Sequence, residues 1–156
     1  MPGAETHPLT EPGTFPLWTH QTLRFADTDR LGHVNNAVFA TLCESGRVAF
    51  LYDPAAPVAR PGVAFVIARL VLDFRAELHW PGQVDIGTVV LRIGRSSFML
   101  DQGLFKDGAC AATAESTLVL IDEATRRSMP LPEPVRARLS ACTIRTEAAA
   151  EDRVRS

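Results

Sequence analysis

One polar stretch, residues 24–36, separates two apolar segments and constrains the fold more than any other feature of the chain. The segment before it, residues 17–25, alternates loosely and contains β-branched and aromatic residues, which predicts a strand. The segment after it, residues 37–51, is apolar and free of proline, which predicts a helix with Asn35 or Asn36 as N-cap. A polar loop that leads into a helix N-terminus can stabilise developing negative charge, because unpaired N–H groups and the helix dipole point at it.

The chain beyond this helix predicts four more strands and a short second helix. The first of these strands covers residues 63–77, and we expect the others at 84–93, 96–106 and 110–122, with the helix at 131–140. The even-numbered positions of the first strand are all apolar: Val66, Ala68, Leu70, Leu72 and Phe74. We expect this face to lie on the long helix, and the mixed odd-numbered face to form a subunit contact or a partly wet surface. The order predicts one antiparallel sheet packed on one long helix.

Length and composition predict a single ordinary globular domain. At 156 residues, the chain is expected to have one domain at 17–142, a disordered proline-rich tail at 1–16 and a charged tail at 143–156. A net charge of -2 without a long basic run argues against nucleic-acid binding. The longest apolar stretch, residues 63–74, is interrupted by charges and too short to span a bilayer, so no membrane partner is expected.

The cysteines and the N-terminal residues indicate in which cellular compartment the protein is expected. The three cysteines are isolated from one another in sequence: Cys43, Cys110 and Cys142. A sparse, odd set is typical of free thiols in a reducing environment. The first residues lack a basic region followed by an apolar core, so a secretory signal is not expected. We therefore predict a cytoplasmic protein.

The polar stretch also carries a family resemblance. Residues 27–36 (DTDRLGHVNN), followed by Phe39 and Glu44, resemble the signature of hot-dog-fold acyl-CoA thioesterases, in particular the 4-hydroxybenzoyl-CoA thioesterase-like group. A weaker similarity lies in residues 94–98 (GRSSF). The resemblance in element order extends over about residues 17–139. It implies an α+β hot-dog fold, in which a curled antiparallel sheet wraps around one long central helix.

The resemblance also implies a catalytic carboxylate. The second acid of the Asp-x-Asp pair is Asp29, which would attack the thioester carbonyl directly or activate a water molecule. The N–H of Asn36 is implied as the oxyanion donor, its side chain then being a cap. One carboxylate and oriented N–H donors are sufficient because a thiolate is a good leaving group. We interpret Asp27 as structural, bonded to loop N–H groups or to Arg24.

Two further loop residues remain open to more than one interpretation. Gly32 would let the loop turn and the acyl group approach, or be a plain turn glycine. His33 follows the acid by four residues and would serve as a base, as a ligand or as a donor that fixes the loop. A calcium loop is rejected, because Leu31 and Val38 stand where that motif needs oxygen ligands. We expect neither a metal nor a cofactor.

Substrate contacts are expected from two regions. We expect apolar residues of the long helix, Val38, Phe39 and Leu42, to line the acyl pocket. By resemblance, Ser96 and Ser97 line the thioester or pantetheine channel, a polar hairpin end being the alternative. Arginine suits bidentate phosphate contacts, and the candidates for the CoA phosphates are Arg60, Arg69, Arg92 and Arg95.

The sequence thus predicts an acyl-CoA thioesterase that releases a free carboxylic acid and CoA. The resemblance implies active sites between subunits, so we expect a homodimer or homotetramer with residues 63–77 near the contact. Two alternatives remain: a hot-dog hydratase, which uses an Asp–His pair at another spacing, and a non-catalytic acyl-CoA-binding module.

Overall fold

A computed structural model describes residues 8–143 of the chain. The elements are β1 (Leu17–Thr22), α1 (Asn36–Leu51), β2 (Val63–Phe74), β3 (Gln83–Ile93), β4 (Ser97–Lys106), β5 (Ala109–Asp122) and α2 (Glu133–Ser140). The five strands form one antiparallel sheet in the order β1-β3-β4-β5-β2. The predicted architecture of a single antiparallel sheet around one long helix is confirmed. No helix within residues 8–143 is long and apolar enough to cross a membrane.

Two apolar clusters hold α1 against the inner face of the sheet. The N-terminal half of the helix packs on a cluster that includes Leu42, Cys43, Ile86, Leu104 and Ala112. The C-terminal half packs on a cluster that includes Phe50, Leu51, Val90, Leu100 and Leu139. The last of these residues belongs to α2, so the short helix closes the second cluster.

A glycine in the middle of α1 allows close approach to the sheet. A Cβ atom at Gly46 would lie 2.6 Å from Gln102 Nε2 and 2.7 Å from Ile86 Cγ2. The same Gln102 amide nitrogen donates to the carbonyl of Cys43 at 3.0 Å and lies 3.1 Å from Thr88 Oγ1. Glycine in a helix interior lowers stability by about 1 kcal/mol relative to alanine. It is nevertheless required at this position, because any side chain would push the helix off the sheet.

A bulge at Ala68 interrupts the alternation of β2. The pairing with β5 shifts by one residue at this position. Before the bulge, Val63 and Phe65 pack on the C-terminal cluster, whereas Leu70 and Leu72 pack on the N-terminal cluster after it. The prediction that all even-numbered positions share the inner face is therefore wrong for the first half of the strand, because an extra residue exchanges the two faces.

Part of the predicted N-terminal tail is folded. Residues 8–10 and 12–14 form short 3₁₀ turns on the outer face of the sheet, where Leu9 and Phe15 are buried against Val89 and Phe105. The expectation of a disordered segment is wrong for this part, because it covers apolar surface of β3 and β4. Residues 1–7 and 144–156 lie outside the described residues, and the limits of the domain as a whole stay a prediction.

Two facing glycines make room for the Phe15 ring. Gly87 and Gly103 are direct partners on β3 and β4. A Cβ atom at Gly87 would lie 2.5 Å from Cγ of Phe15, and one at Gly103 would lie 2.9 Å from the same ring. The ring also makes an edge contact with Phe105, with centroids 5.9 Å apart. The aromatic side chain thus fills a recess in the sheet.

We expect Phe15→Ala to lower the free energy of unfolding by about 3 kcal/mol, because it empties this recess. Urea denaturation of parent and variant measures the difference. Phe25→Ala is the matched control, since Phe25 is 72% exposed and its loss is expected to change stability by less than about 0.5 kcal/mol. Equal effects of the two substitutions would contradict the packing role of Phe15.

Candidate active site

The polar loop between β1 and α1 is closed by backbone hydrogen bonds. The N–H of Asp29 donates to the carbonyl of His33 at 2.9 Å, and the N–H of Asn35 donates to the carbonyl of Asp27 at 2.9 Å. Gly32 has φ = 84°, a left-handed conformation that favours glycine. The loop therefore has a defined shape before any ligand binds.

Asp27 anchors the start of the loop to Arg24. Its Oδ2 accepts from the backbone N–H of Arg24 at 2.8 Å, and its Oδ1 accepts from the Arg24 guanidinium at 2.9 Å. These side-chain and backbone hydrogen bonds lower the pKa of Asp27 from its usual value. The predicted bond between Asp27 and Arg24 is confirmed, and the structural role of Asp27 stays a prediction.

We expect Asp27→Asn to lower the free energy of unfolding at neutral pH by about 1–2 kcal/mol, because the amide loses the charged hydrogen bonds. A carboxyl group whose pKa is lowered by folding stabilises the protein above its unfolded pKa, and this stabilisation is lost as the pH falls through the folded value. The difference between parent and variant should therefore shrink below about pH 4. Urea denaturation at several pH values measures it, and a difference that stays constant down to about pH 3 would contradict the assignment.

The two carboxylate oxygens of Asp29 have different surroundings. Its Oδ1 accepts from the backbone N–H of Leu31 at 2.8 Å. Its Oδ2 lies 3.7 Å from Nδ1 of His33. One oxygen is therefore held by the loop, and the other faces the imidazole.

The start of α1 presents a backbone donor. The cap is Asn35, whose Oδ1 accepts from the N–H of Ala37 at 3.0 Å. The expectation that the Asn36 side chain caps the helix is therefore wrong, because the cap stands one residue earlier. The N–H of Asn36, the first of the helix, has no acceptor within residues 8–143.

A cavity of about 250 Å³ lies between the loop, the first turns of α1 and the end of β2. Its walls are formed by His33, Val34, Asn36, Phe39, Phe74, Ala76 and Glu77. Asp29 does not line the cavity directly but contacts its wall through His33. The structure thus brings an imidazole and the first residue of a helix to one opening, with the carboxylate of Asp29 next to the imidazole.

The predicted acyl-pocket residues separate into two groups. Phe39 lines the cavity, and its ring lies 5.0 Å from the ring of Phe74. Val38 and Leu42 pack with the N-terminal cluster, to which Phe39 also belongs, but they do not line the cavity. The helical pattern identified the apolar positions but not which of them face the opening.

Three cavity residues were not singled out from the sequence: Phe74, Ala76 and Glu77. They belong to the end of β2 and the chain just after it, about forty residues from the loop. An acid next to the predicted end of a strand was visible in the sequence, but its proximity to His33 depends on the fold.

The predicted CoA-channel residues lie elsewhere in this chain. Arg95, Ser96 and Ser97 stand at the turn between β3 and β4. The other end of β4, Lys106, is about 30 Å away along the strand, and there its amine donates to the carbonyl of Pro81 at 2.8 Å. The turn therefore does not reach the cavity of its own chain.

Other side chains that could react, bind phosphate or hold a metal are less suited to such a role. Burial raises the pKa of the Cys43 thiol to about 11, so the thiol stays protonated and is a poor nucleophile. Arg69, one of the candidates for the CoA phosphates, already forms an ion pair with Glu115. Within residues 8–143, no group of three His, Cys, Asp or Glu side chains is arranged to hold a metal ion.

A second, smaller cavity of about 80 Å³ lies between β1, α1 and α2. Its charged lining residues are already bonded: Asp53 accepts from the N–H of Ala55, and Arg138 donates to the carbonyl of Ala56. We place the site at the larger cavity, because His33, with Asp29 beside it, and the first residue of α1 line this cavity and not the smaller one.

The chain is similar in sequence and fold to several known proteins. The model of the thioesterase-like superfamily matches residues 23–139. The 1,4-dihydroxy-2-naphthoyl-CoA hydrolase of Synechococcus elongatus is 25% identical over 118 residues, which cover 72% of this chain and 87% of that protein. A thioesterase from Thermus thermophilus, solved in complex with coenzyme A and Zn, is 30% identical with a TM-score of 0.73, covering 83% of this chain and 95% of that chain. The PA5185 protein of Pseudomonas aeruginosa, at 21% identity, shares the fold with a TM-score of 0.77 over 85% of this chain and 94% of its own.

Proposed function

The chain belongs to the thioesterase-like superfamily and has the hot-dog fold, and from this we propose that it hydrolyses acyl-CoA thioesters to a free carboxylic acid and CoA. The names of its relatives support this activity: one is a 1,4-dihydroxy-2-naphthoyl-CoA hydrolase, and another is a thioesterase solved in complex with coenzyme A. The observation that carries the proposal is the carboxylate of Asp29 beside His33, an imidazole that lines the cavity together with Asn36 at the start of α1.

We assign the carboxylate of Asp29 to the reacting position. As a nucleophile, its oxygen forms a bond to the thioester carbonyl carbon and the C–S bond breaks, so that CoA leaves as a thiolate. Water then hydrolyses the acyl-aspartate anhydride and regenerates the carboxylate. As a general base, Asp29 instead takes a proton from a water molecule whose oxygen attacks the same carbon, and the proton passes to the departing thiolate.

The N–H of Asn36 is the proposed donor to the carbonyl oxygen. Negative charge develops on that oxygen in either route, and an N–H at the positive end of a helix stabilises it. The donor has no acceptor within residues 8–143, so it needs no rearrangement before it can bind the oxyanion. Gly32, without a side chain, leaves the turn of the loop open.

The acyl group is proposed to enter beside Phe39 and Phe74, the aromatic part of the cavity. Since Arg95, Ser96 and Ser97 lie at the far end of β4, their proposed contact with CoA requires a second subunit. Residues Val38 and Leu42 support the pocket from behind, through their packing in the N-terminal cluster.

A thiol-release assay with a panel of acyl-CoAs tests the proposed function. The panel should contain aromatic, medium-chain and branched acyl groups, because the apolar part of the cavity wall does not by itself select one of these classes. Release of free CoA with at least one of them is the expected result. A panel without any hydrolysis, together with tight binding of CoA esters, would favour the binding module instead.

We expect the chain to sediment as a dimer or larger assembly at micromolar concentration. β2 is a long edge strand, and Ile67 and Phe74 on it are 47% and 52% exposed. Such an edge tends to pair with another chain. Ile67→Glu should shift the protein toward 17.0 kDa, the mass of one chain. Leu91→Glu, at a residue 43% exposed on β3, is the matched control. A monomeric parent would contradict the proposed shared site.

A further inference from the structure

The segment that follows β2 packs against the polar loop between β1 and α1. The carbonyl of Leu78 accepts from the N–H of Val34 at 2.7 Å. Next to it, Nδ1 of His79 lies 3.4 Å from the carbonyl oxygen of Gly32. The amine of Lys106 donates to the carbonyl of His79, so this supporting segment is itself tied to the end of β4.

His33 lies between two carboxylates as a result. Its Nδ1 is 3.7 Å from Oδ2 of Asp29, and its Nε2 is 3.9 Å from Oε1 of Glu77. The second oxygen of Glu77, Oε2, lies 3.3 Å from Nε2 of His79. The imidazole therefore has an acid at each nitrogen, one from the loop and one from the opposite wall of the cavity.

We propose that Glu77 is a positioning residue for thioester hydrolysis, acting through His33 to hold the imidazole against Asp29. This inference rests on the proposed function and names a residue that supports the same site. At 3.9 Å from Nε2 of His33, the Glu77 carboxylate acts on the ring through its charge and not through a formed hydrogen bond, and it favours the ring orientation in which an N–H points at it. With Oδ1 of Asp29 held by the N–H of Leu31, the position of His33 determines the surroundings of the remaining oxygen, Oδ2.

Its place in the cavity wall distinguishes Glu77 from the other acidic residues. It is the one acidic residue among the walls of the larger cavity within residues 8–143. It is 64% exposed at its side chain, so its interaction with His33 needs no buried charge and can adjust when an acyl-CoA binds. Glu77 also contacts His79, but it is the contact with His33 that connects it to Asp29.

The test compares Glu77→Gln with Asp73→Asn, a matched control that also neutralises an exposed acid near the end of β2. Glu77→Gln is expected to lower kcat by about tenfold or more with KM changed less than about twofold, because the group acts on the reacting carboxylate and not on substrate binding. Asp73→Asn should keep the parent kcat. A kcat of Glu77→Gln within about twofold of the parent would overturn the proposal.

A double substitution shows whether Glu77 acts through the histidine. In a His33→Gln background, Glu77→Gln should add less than about a twofold further loss, since the intermediary is already gone. Losses that multiply would overturn the proposal, because they would mean independent roles. Glu77→Asp, which keeps the charge, should retain more activity than Glu77→Gln.

An NMR measurement separates this inference from the proposed function. The ¹⁵N resonances of the His33 ring should move in Glu77→Gln and stay in place in Asp73→Asn. Unmoved resonances would overturn the contact whatever the activity. A parent protein that releases no thiol from any acyl-CoA would overturn the proposed function and the positioning role of Glu77 with it, while moved resonances would still establish the contact.

Discussion

Asp29→Asn is expected to lower the turnover of the best acyl-CoA by at least about a thousandfold, because the amide is a far poorer nucleophile or base than a carboxylate of the same shape. The substrate should still bind, since the N–H of Asn36 and the apolar wall around Phe39 remain in place. Steady-state thiol release measures the loss, and calorimetry with a CoA ester measures the retained affinity. A variant that hydrolyses at close to the parent rate would move the catalytic role to His33 or to another group.

Asp27→Asn is the matched control for that experiment, because it neutralises the other acid of the Asp-x-Asp pair. Asp27 is bonded to Arg24, so its loss should reduce stability while turnover per folded molecule changes little. Binding of CoA esters by the parent without release of any thiol would favour the non-catalytic module. Addition of water to an enoyl-CoA, without thiol release, would favour the hydratase.

Asn36→Pro is expected to lower kcat by about 100–1000-fold, because it deletes the proposed oxyanion donor. Proline is tolerated at the first position of a helix, where the N–H makes no intrahelical bond and the fixed φ suits the helix. The preceding residue must be extended, and Asn35 already has φ = -60° and ψ = 138°. The substitution should therefore remove one N–H from the site and leave α1 intact, as circular dichroism can verify.

Asn36→Ala separates the backbone from the side chain. It keeps the N–H and removes the amide, so its kcat should stay within about threefold of the parent. Equal losses in the alanine and proline variants would assign the function to the side chain. Full activity of a folded Asn36→Pro would show that the oxyanion is bound elsewhere.

The local order of the chain could be predicted because its signals are short in range. The bounds of α1 follow from an apolar run of helical character between Asn35 and Tyr52, and the observed strands begin or end within a few residues of their predicted limits. A turn such as residues 107–108 is encoded by its own two residues. The signature at residues 27–36 likewise placed an acid and a helix start next to each other in sequence.

Contacts between distant segments could not be predicted in the same way. The bulge at Ala68 leaves no mark in the alternation of polarity, yet it decides which residues of β2 face α1. The recess over Gly87 and Gly103 exists only because β3 and β4 pair in one register, which makes Phe15 a core residue instead of part of a tail. In each case, the partner lies far along the chain and the register of the sheet selects it.

The candidate site divides along the same line. The acid, the histidine and the helix start could be identified from the sequence, because they stand within one loop and local hydrogen bonds set their geometry. The cap bond between Asn35 and Ala37 is local as well, although the sequence left Asn35 and Asn36 as alternatives. The position of Glu77 opposite His33 and that of residues 95–97 away from the cavity depend instead on the fold. The physical reason is that backbone propensity acts over a few residues, whereas the walls of a cavity are assembled by the closure of the whole sheet around α1.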